Sequence, residues 1–282
     1  MTTVQCLQIY FQEEQIESLD PSFKPYDARH NKHGNLCELA HYIDILDNKQ
    51  HRNFDYTGLL SHKFKLKTGI DGKVFLRFIE ENPGRDVYFI NPYPQMSYIS
   101  FNIWEQGELF HPGITNIADQ LFEAANLDFR ASKAPRMDKS SLCYCNFWVG
   151  SANFWEDYVA LLKRLLQTIL SMPEKQKNQY FKNAAYIRDC NFIPFIIERT
   201  FSTYLLSQAN HTFLAFDHEK EQVENMSLYD LENEIASSVK PVIDEWDQKN
   251  CWDDEKKQTI QTINQYNKAY YDIYFKHHAF PF

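Results

Sequence analysis

Two groups of side chains in this chain have the types and spacing to do chemistry. Lys63, Lys65 and Lys67 alternate within SHKFKLKTG (61–69). On an extended segment that alternation turns three ammonium groups to one face, where they can neutralise a pyrophosphate. Lys67, followed by Thr68 and Gly69 with their backbone donors, is the foremost ligand of the three. The lysine row of a solvated edge strand explains the same pattern. The second group is Glu198 and Arg199, which interrupt an otherwise apolar run, FIPFIIERTFSTYLLS (192–207). Burying charge is costly unless it is paired or used. A desolvated Glu198 can act as general base toward a hydroxyl while Arg199 holds phosphate; a structural salt bridge to another segment is the alternative.

Further candidates lie at the ends of expected elements. Asp86 and Asn91 flank the apolar stretch VYFI (87–90), and ligands of open α/β sheets bind beyond the carboxyl ends of strands. Asp86 is therefore read as a hydroxyl-binding carboxylate, or as the point that a divalent cation, Mn or Mg, would occupy beside a diphosphate, with a plain strand-start residue as the equal alternative. An Asp-x-Asp pair is missing, so metal dependence stays open. Glu105, Glu108 and His111 fall in WEQGELFHPG (104–113), read as a loop by its Gly and Pro content, where polar side chains can face a ligand. Asn146 stands at an expected strand end, where turn chemistry explains it as well as ligand contact does.

Composition bounds the answer. The 282 residues are 44% hydrophobic, 24% charged and 16% aromatic, enough to bury a large core without disulfides or metal. A net charge of -9 argues against nucleic acid as a partner, since phosphate backbones need a broad basic surface. No run approaches the ~20 apolar residues of a membrane span, and MTTVQCLQIYFQEEQ lacks the layout of a secretory signal. The expectation is a cytoplasmic protein, with contact at the inner face of the membrane left open. The six cysteines then read as reduced and structural, Cys143 and Cys145 sharing one face of a strand.

The periodicities predict strands over 4–11, 56–60, 87–90 and 142–150. They predict helices from 35, over 73–81, 114–127, 151–170 and 192–206, and two more after 227, broken near Cys251. This alternation indicates an α/β fold in a single domain, 1–282, with an α/β core over 1–206 and a helical tail over 207–282.

Taken in order, NLCELAHY (35–42), DYTGLLSHKFKLKTG (55–69), DVYFINPY (86–93), CNFWVGSANFWEDY (145–158) and PFIIERTFSTYL (194–205) resemble bacterial glycosyltransferases of surface-polysaccharide gene clusters. The likeness spans about 4–206 and implies a GT-A-like, Rossmann-type mixed sheet flanked by helices. It implies transfer of a sugar from a nucleotide-sugar donor to a hydroxyl of a glycan or glycolipid in capsule or lipopolysaccharide synthesis. On that resemblance Glu38, Asp86, Asn146, Glu198 and Arg199 fall on the polar points of the matched motifs. Glu198 and Asp86 then take catalytic roles, Lys63, Lys67, Asn91, Asn146 and Arg199 hold the donor, and Glu38, Glu105 and His111 meet the acceptor. A non-catalytic carbohydrate-binding or scaffold component, and a glycoside hydrolase, are the competing readings.

Overall fold

The computed structural model describes residues 2–30, 34–184, 190–208, 210–218 and 227–281. Six strands form one mixed sheet: β1 (Val4–Tyr10), β2 (Lys24–Asp27), β3 (Tyr56–Ser61), β4 (Val87–Phe89), β5 (Trp148–Ser151) and β6 (Phe213–Ala215), in the order β2-β1-β3-β5-β4-β6. β5 runs antiparallel to both of its neighbours and every other pairing is parallel. The carboxyl ends of β1, β3, β4 and β6 therefore share one edge, and the chain enters β5 at that same edge, with Trp148 opposite Phe89.

Side chains alternate across the sheet as the pleat demands. Val87 and Phe89 join the larger core under α1 (Glu38–Asp47) and the other helices of that face, whereas Tyr88 and Ile90 face a smaller core on the opposite side. α2 (Phe64–Thr68) and α3 (Gly72–Glu81) cover that smaller core with Phe64, Phe75 and Ile79. On the larger side lie α4 (Met96–Ile99), α5 (Ile103–Phe110), α6 (Ile114–Ala124), α7 (Ala152–Ser171), α8 (Glu174–Tyr180) and α9 (Phe192–Ser207). α10 (Asp230–Gln248) and α11 (Asp254–Tyr274) close the chain. Much of the aromatic content goes into this core: Trp104, Trp148, Trp155, Tyr42, Tyr88 and Tyr158 are all at most 1% exposed.

Three local expectations are corrected. SHKFKLKTG is a helical turn and not a strand: Phe64 and Thr68, four apart, are both buried, Thr68 Oγ1 donates to the Phe64 carbonyl at 2.8 Å, and Gly69 at φ +65° ends the turn. The expected loop at 104–113 is largely α5, because Asn102 caps it by accepting from the N–H groups of Trp104 and Glu105, both at 3.0 Å. The strand expected over 142–150 is regular only from Trp148, since Cys145 and Asn146 are left-handed at φ +64° and +53°. Ser151 caps α7, accepting from Phe154 N–H, and the last two helices do break around Cys251. Beyond residue 206 the chain is not purely helical, since β6 adds an edge strand to the sheet.

Candidate functional site

The cavity that holds the predicted chemistry, about 310 Å³ in volume, opens beside the carboxyl edge of the sheet. Its walls come from α2 (Lys67), the segment after β4 (Tyr93, Gln95), α5 (Gln106, Phe110), the turn before β5 (Tyr144, Cys145), α9 (Phe195, Glu198, Arg199) and the C-terminal helices. Thus Lys67 and the Glu198–Arg199 pair, 131 residues apart by subtraction, line one space. They meet because α2 follows the carboxyl end of β3, while α9 packs on β4 and β5 through Phe201 against Phe89 and Trp148.

Helical geometry separates the three lysines. Lys65 turns outward and pairs with Asp71 at 2.7 Å, while Lys67 turns inward so that Nζ lies 3.1 Å from Cys145 Sγ. Lys63, half-buried at the start of α2, joins Lys67 in acting on the Glu38 carboxyl in the first turn of α1. Burial pushes the Glu38 carboxyl up from its ordinary value, against the pull of those two ammonium groups. Burial by itself would drive the proton from Lys67. The hydrogen bond to the Cys145 sulfur and the Glu198 carboxylate act the other way, and the ammonium is pushed up from its ordinary value. Burial in turn pushes the Cys145 thiol up to about 11 in spite of Lys67, so the sulfur remains a thiol at neutral pH.

Glu198 fixes two things at once. Its Oε2 accepts the backbone N–H of Cys145 at 3.0 Å, holding the left-handed turn, and its Oε1 accepts from Arg199 Nη1 at 3.3 Å. Arg199, 2% exposed, also donates to the Phe195 carbonyl at 3.2 Å and to Gln106 Oε1 at 2.9 Å. The guanidinium crosses α5 at Gly107, where any Cβ would overlap Arg199 Nε. Two successive non-glycine residues in the left-handed region are strained, and the Glu198 bond is part of what holds them there.

His111 reaches the cavity wall from the end of α5. It is 4% exposed, stacks on Phe195 with ring centroids 3.8 Å apart and hydrogen-bonds the Ala184 carbonyl through Nδ1 at 2.8 Å. Burial and the nearby Arg199 charge push it down to about 4, so it faces the cavity as neutral imidazole.

The other expected residues are placed elsewhere. Asp86 sits at the amino end of β4, on the opposite edge, where its Oδ2 accepts from Thr212 N–H at 2.7 Å and Thr212 Oγ1 at 2.8 Å and so pins β6. It can neither act in this cavity nor complete a metal site, and no cluster of three His, Cys, Asp or Glu suited to a metal occurs among the described residues. Asn91 is buried within its own turn, accepting from Tyr93 N–H at 3.1 Å and donating to the Tyr93 carbonyl at 3.2 Å, which sets Tyr93 at the cavity. Glu105 faces α11, where it accepts from Gln261 Nε2 at 2.7 Å, and Glu108 caps α6 through Gly113 and Thr115 N–H. Asn146 lies just past Cys145; its carbonyl accepts from Tyr42 at 3.3 Å, and its buried Oδ1 has no hydrogen-bond partner among the described residues.

Sequence reasoning missed Cys145, Gln106 and the whole C-terminal wall: Glu232, Asn267, Lys268, Tyr271 and Asp272. Only the Asn in Cys-Asn, a residue tolerant of the left-handed region, signals the turn. No protein-family model, curated protein or solved structure matches the chain. Among the described residues no helix is long and apolar enough to cross a membrane.

Proposed function

We propose that the protein is a nucleotide-sugar-dependent glycosyltransferase, moving a sugar to a hydroxyl of a glycan or glycolipid in surface-polysaccharide synthesis. The observation that carries this reading is the convergence of Lys67 and Arg199 with Glu198 in one cavity at the carboxyl edge of a mixed sheet, the edge at which such folds bind their ligands. The mixed sheet, with β5 as its reversed strand, is compatible with the GT-A-like fold named by the resemblance.

The reaction needs charge stabilisation on the departing diphosphate and a carboxylate to take the proton of the attacking hydroxyl. Lys67 and Arg199 supply the first as fixed cations in a partly dehydrated space. Asp86 does not suit a divalent cation bound beside them, so the side-chain cations carry that role here. Neutral His111, Tyr93 and Gln106 offer polar contacts for hydroxyl groups.

A thermal-shift screen with UDP, GDP, dTDP and CMP, each with and without Mn²⁺, tests the reading. A ligand bound only by the native state stabilises by about 2.7 kcal/mol at a hundredfold excess over Kd. One nucleotide raising Tm supports the proposal, and none doing so removes it. The hydrolase reading draws on a separate fact, that the carboxylates of Glu198 and Glu232 line the same cavity. It requires turnover of an aryl glycoside with no response to any nucleotide.

A further inference from the structure

We propose that Glu232, brought to the cavity by the C-terminal helix pair, is the general base that takes the proton of the acceptor hydroxyl, with Glu198 as a positioning residue. This rests on the glycosyltransferase reading and names the group that reading requires. Glu198 commits one oxygen to the Cys145 turn and the other to Arg199. Glu232 is held differently. It is 3% exposed and lines the cavity from the first turn of α10, and its Oε2 accepts from two neutral donors, Leu228 N–H at 2.9 Å and Gln95 Nε2 at 3.0 Å. The Asn267 side chain hydrogen-bonds the same carboxyl group, and among the described residues no ammonium or guanidinium forms an ion pair with it. Burial pushes this carboxyl up from its ordinary value, toward the range in which a base works near neutral pH.

The surrounding wall is suited to an acceptor. Asn267 and Tyr271 of α11 line the cavity with Glu232, and Asn267 Oδ1 accepts from the Tyr229 hydroxyl at 2.7 Å, which ties α11 to the start of α10. In the step itself, the acceptor oxygen bonds to the anomeric carbon as the bond from that carbon to the diphosphate oxygen breaks. The electron pair leaves with the nucleoside diphosphate beside Lys67 and Arg199, and the hydroxyl proton passes to Glu232. The carboxyl-terminal helices thus deliver the base, and the sheet edge holds the leaving group.

The competing role for Glu232 is a helix cap, and the Gln variant separates the two, because a side-chain amide still accepts from Leu228 N–H but takes no proton. The assay follows release of nucleoside diphosphate by the full chain from UDP-glucose, GDP-mannose or dTDP-rhamnose, with water as acceptor. Glu232→Gln is expected to lower kcat on the order of 10²–10⁴-fold with the affinity for UDP, GDP or dTDP unchanged, whereas Glu198→Gln weakens nucleotide binding. Glu232→Asp, which keeps the charge on a shorter arm, is the second variant should the first not fold, and it is expected to lower kcat with unchanged nucleotide affinity. Retention of wild-type kcat by whichever variant folds overturns the assignment. A wild type that binds nucleotide but loses nothing in Glu232→Gln refutes only the base. A wild type that neither binds a nucleotide nor turns over a donor sinks the base and the transferase reading together.

Discussion

Lys67 Nζ lies 3.1 Å from Cys145 Sγ, and Cys145 gives its backbone N–H to Glu198 Oε2 at 3.0 Å. Cys145 is therefore the link between the cation of α2 and the carboxylate of α9, through its sulfur on one side and its backbone N–H on the other, and burial keeps the sulfur a thiol. A nucleophilic cysteine needs thiolate at working pH, which this one lacks. Cys145→Ser is accordingly expected to fold and to keep most of its turnover, while Lys67→Met loses nucleotide affinity on the order of 10-fold or more, the value of one charge-assisted hydrogen bond. Turnover abolished in Cys145→Ser, with nucleotide binding intact, would show covalent chemistry instead.

Glu198 and Arg199 form a pair whose members are unequally buried, with side chains 21% and 3% exposed. Removing the carboxylate leaves the guanidinium charge enclosed and also frees the Cys145 N–H. Glu198→Ala is expected to cost about 3 kcal/mol or more in urea unfolding, and Glu198→Gln, which still accepts from that N–H, about 1–2 kcal/mol. Equal losses in the two variants would mean that the charge pairing contributes nothing.

How much of this was legible in the sequence depended on whether local pattern and tertiary demand agreed. α7 was readable because its helical periodicity is the periodicity of its burial, and β1 because its β-branched and aromatic residues suit a strand whose last five residues are all buried. α5 was hidden by Gly107, which is poor for a helix and is explained by the guanidinium that crosses it. The alternating lysines imitated a strand, and only the Thr68 back-bond and Gly69 reveal the turn. Glu232 was hidden for a different reason: an acid in the first turn of a helix is ordinary dipole chemistry, so its place at a cavity had to come from the fold.

Gly107 yields a direct test of the Arg199 position. A methyl group there cannot coexist with the guanidinium as placed, and neither α5 nor α9 can move without unpacking Trp104 from Thr203, whose hydrogen bond is 2.7 Å. Gly107→Ala is expected to destabilise by about 1–3 kcal/mol despite the better helix propensity of alanine. In a double-mutant cycle with Arg199→Ala, much of that loss should vanish, a coupling of at least about 0.5 kcal/mol. Strict additivity would place the clash elsewhere.

His111 makes stability depend on pH with a definite sign. Its folded pKa, about 4, lies below the ordinary value of 6.5, so between the two the unfolded chain binds the extra proton and stability rises with pH. The contribution of the neutral, stacked imidazole is complete above 6.5 and is lost as the pH falls toward 4, a difference on the order of 3 kcal/mol at most. The buried carboxyls of Glu38, Glu105 and Glu232 are pushed up and act in the opposite sense, weakening the fold as pH rises through their folded values. His111→Phe keeps a ring against Phe195 but cannot take a proton, so the carboxyl contributions cancel in the comparison with wild type. Urea unfolding should then show wild type losing more stability than His111→Phe between about pH 7 and pH 4. Parallel pH profiles would mean that the imidazole gains its proton as readily in the folded protein as in the unfolded chain, and would overturn the assignment of a lowered His111 pKa to burial and the Arg199 charge.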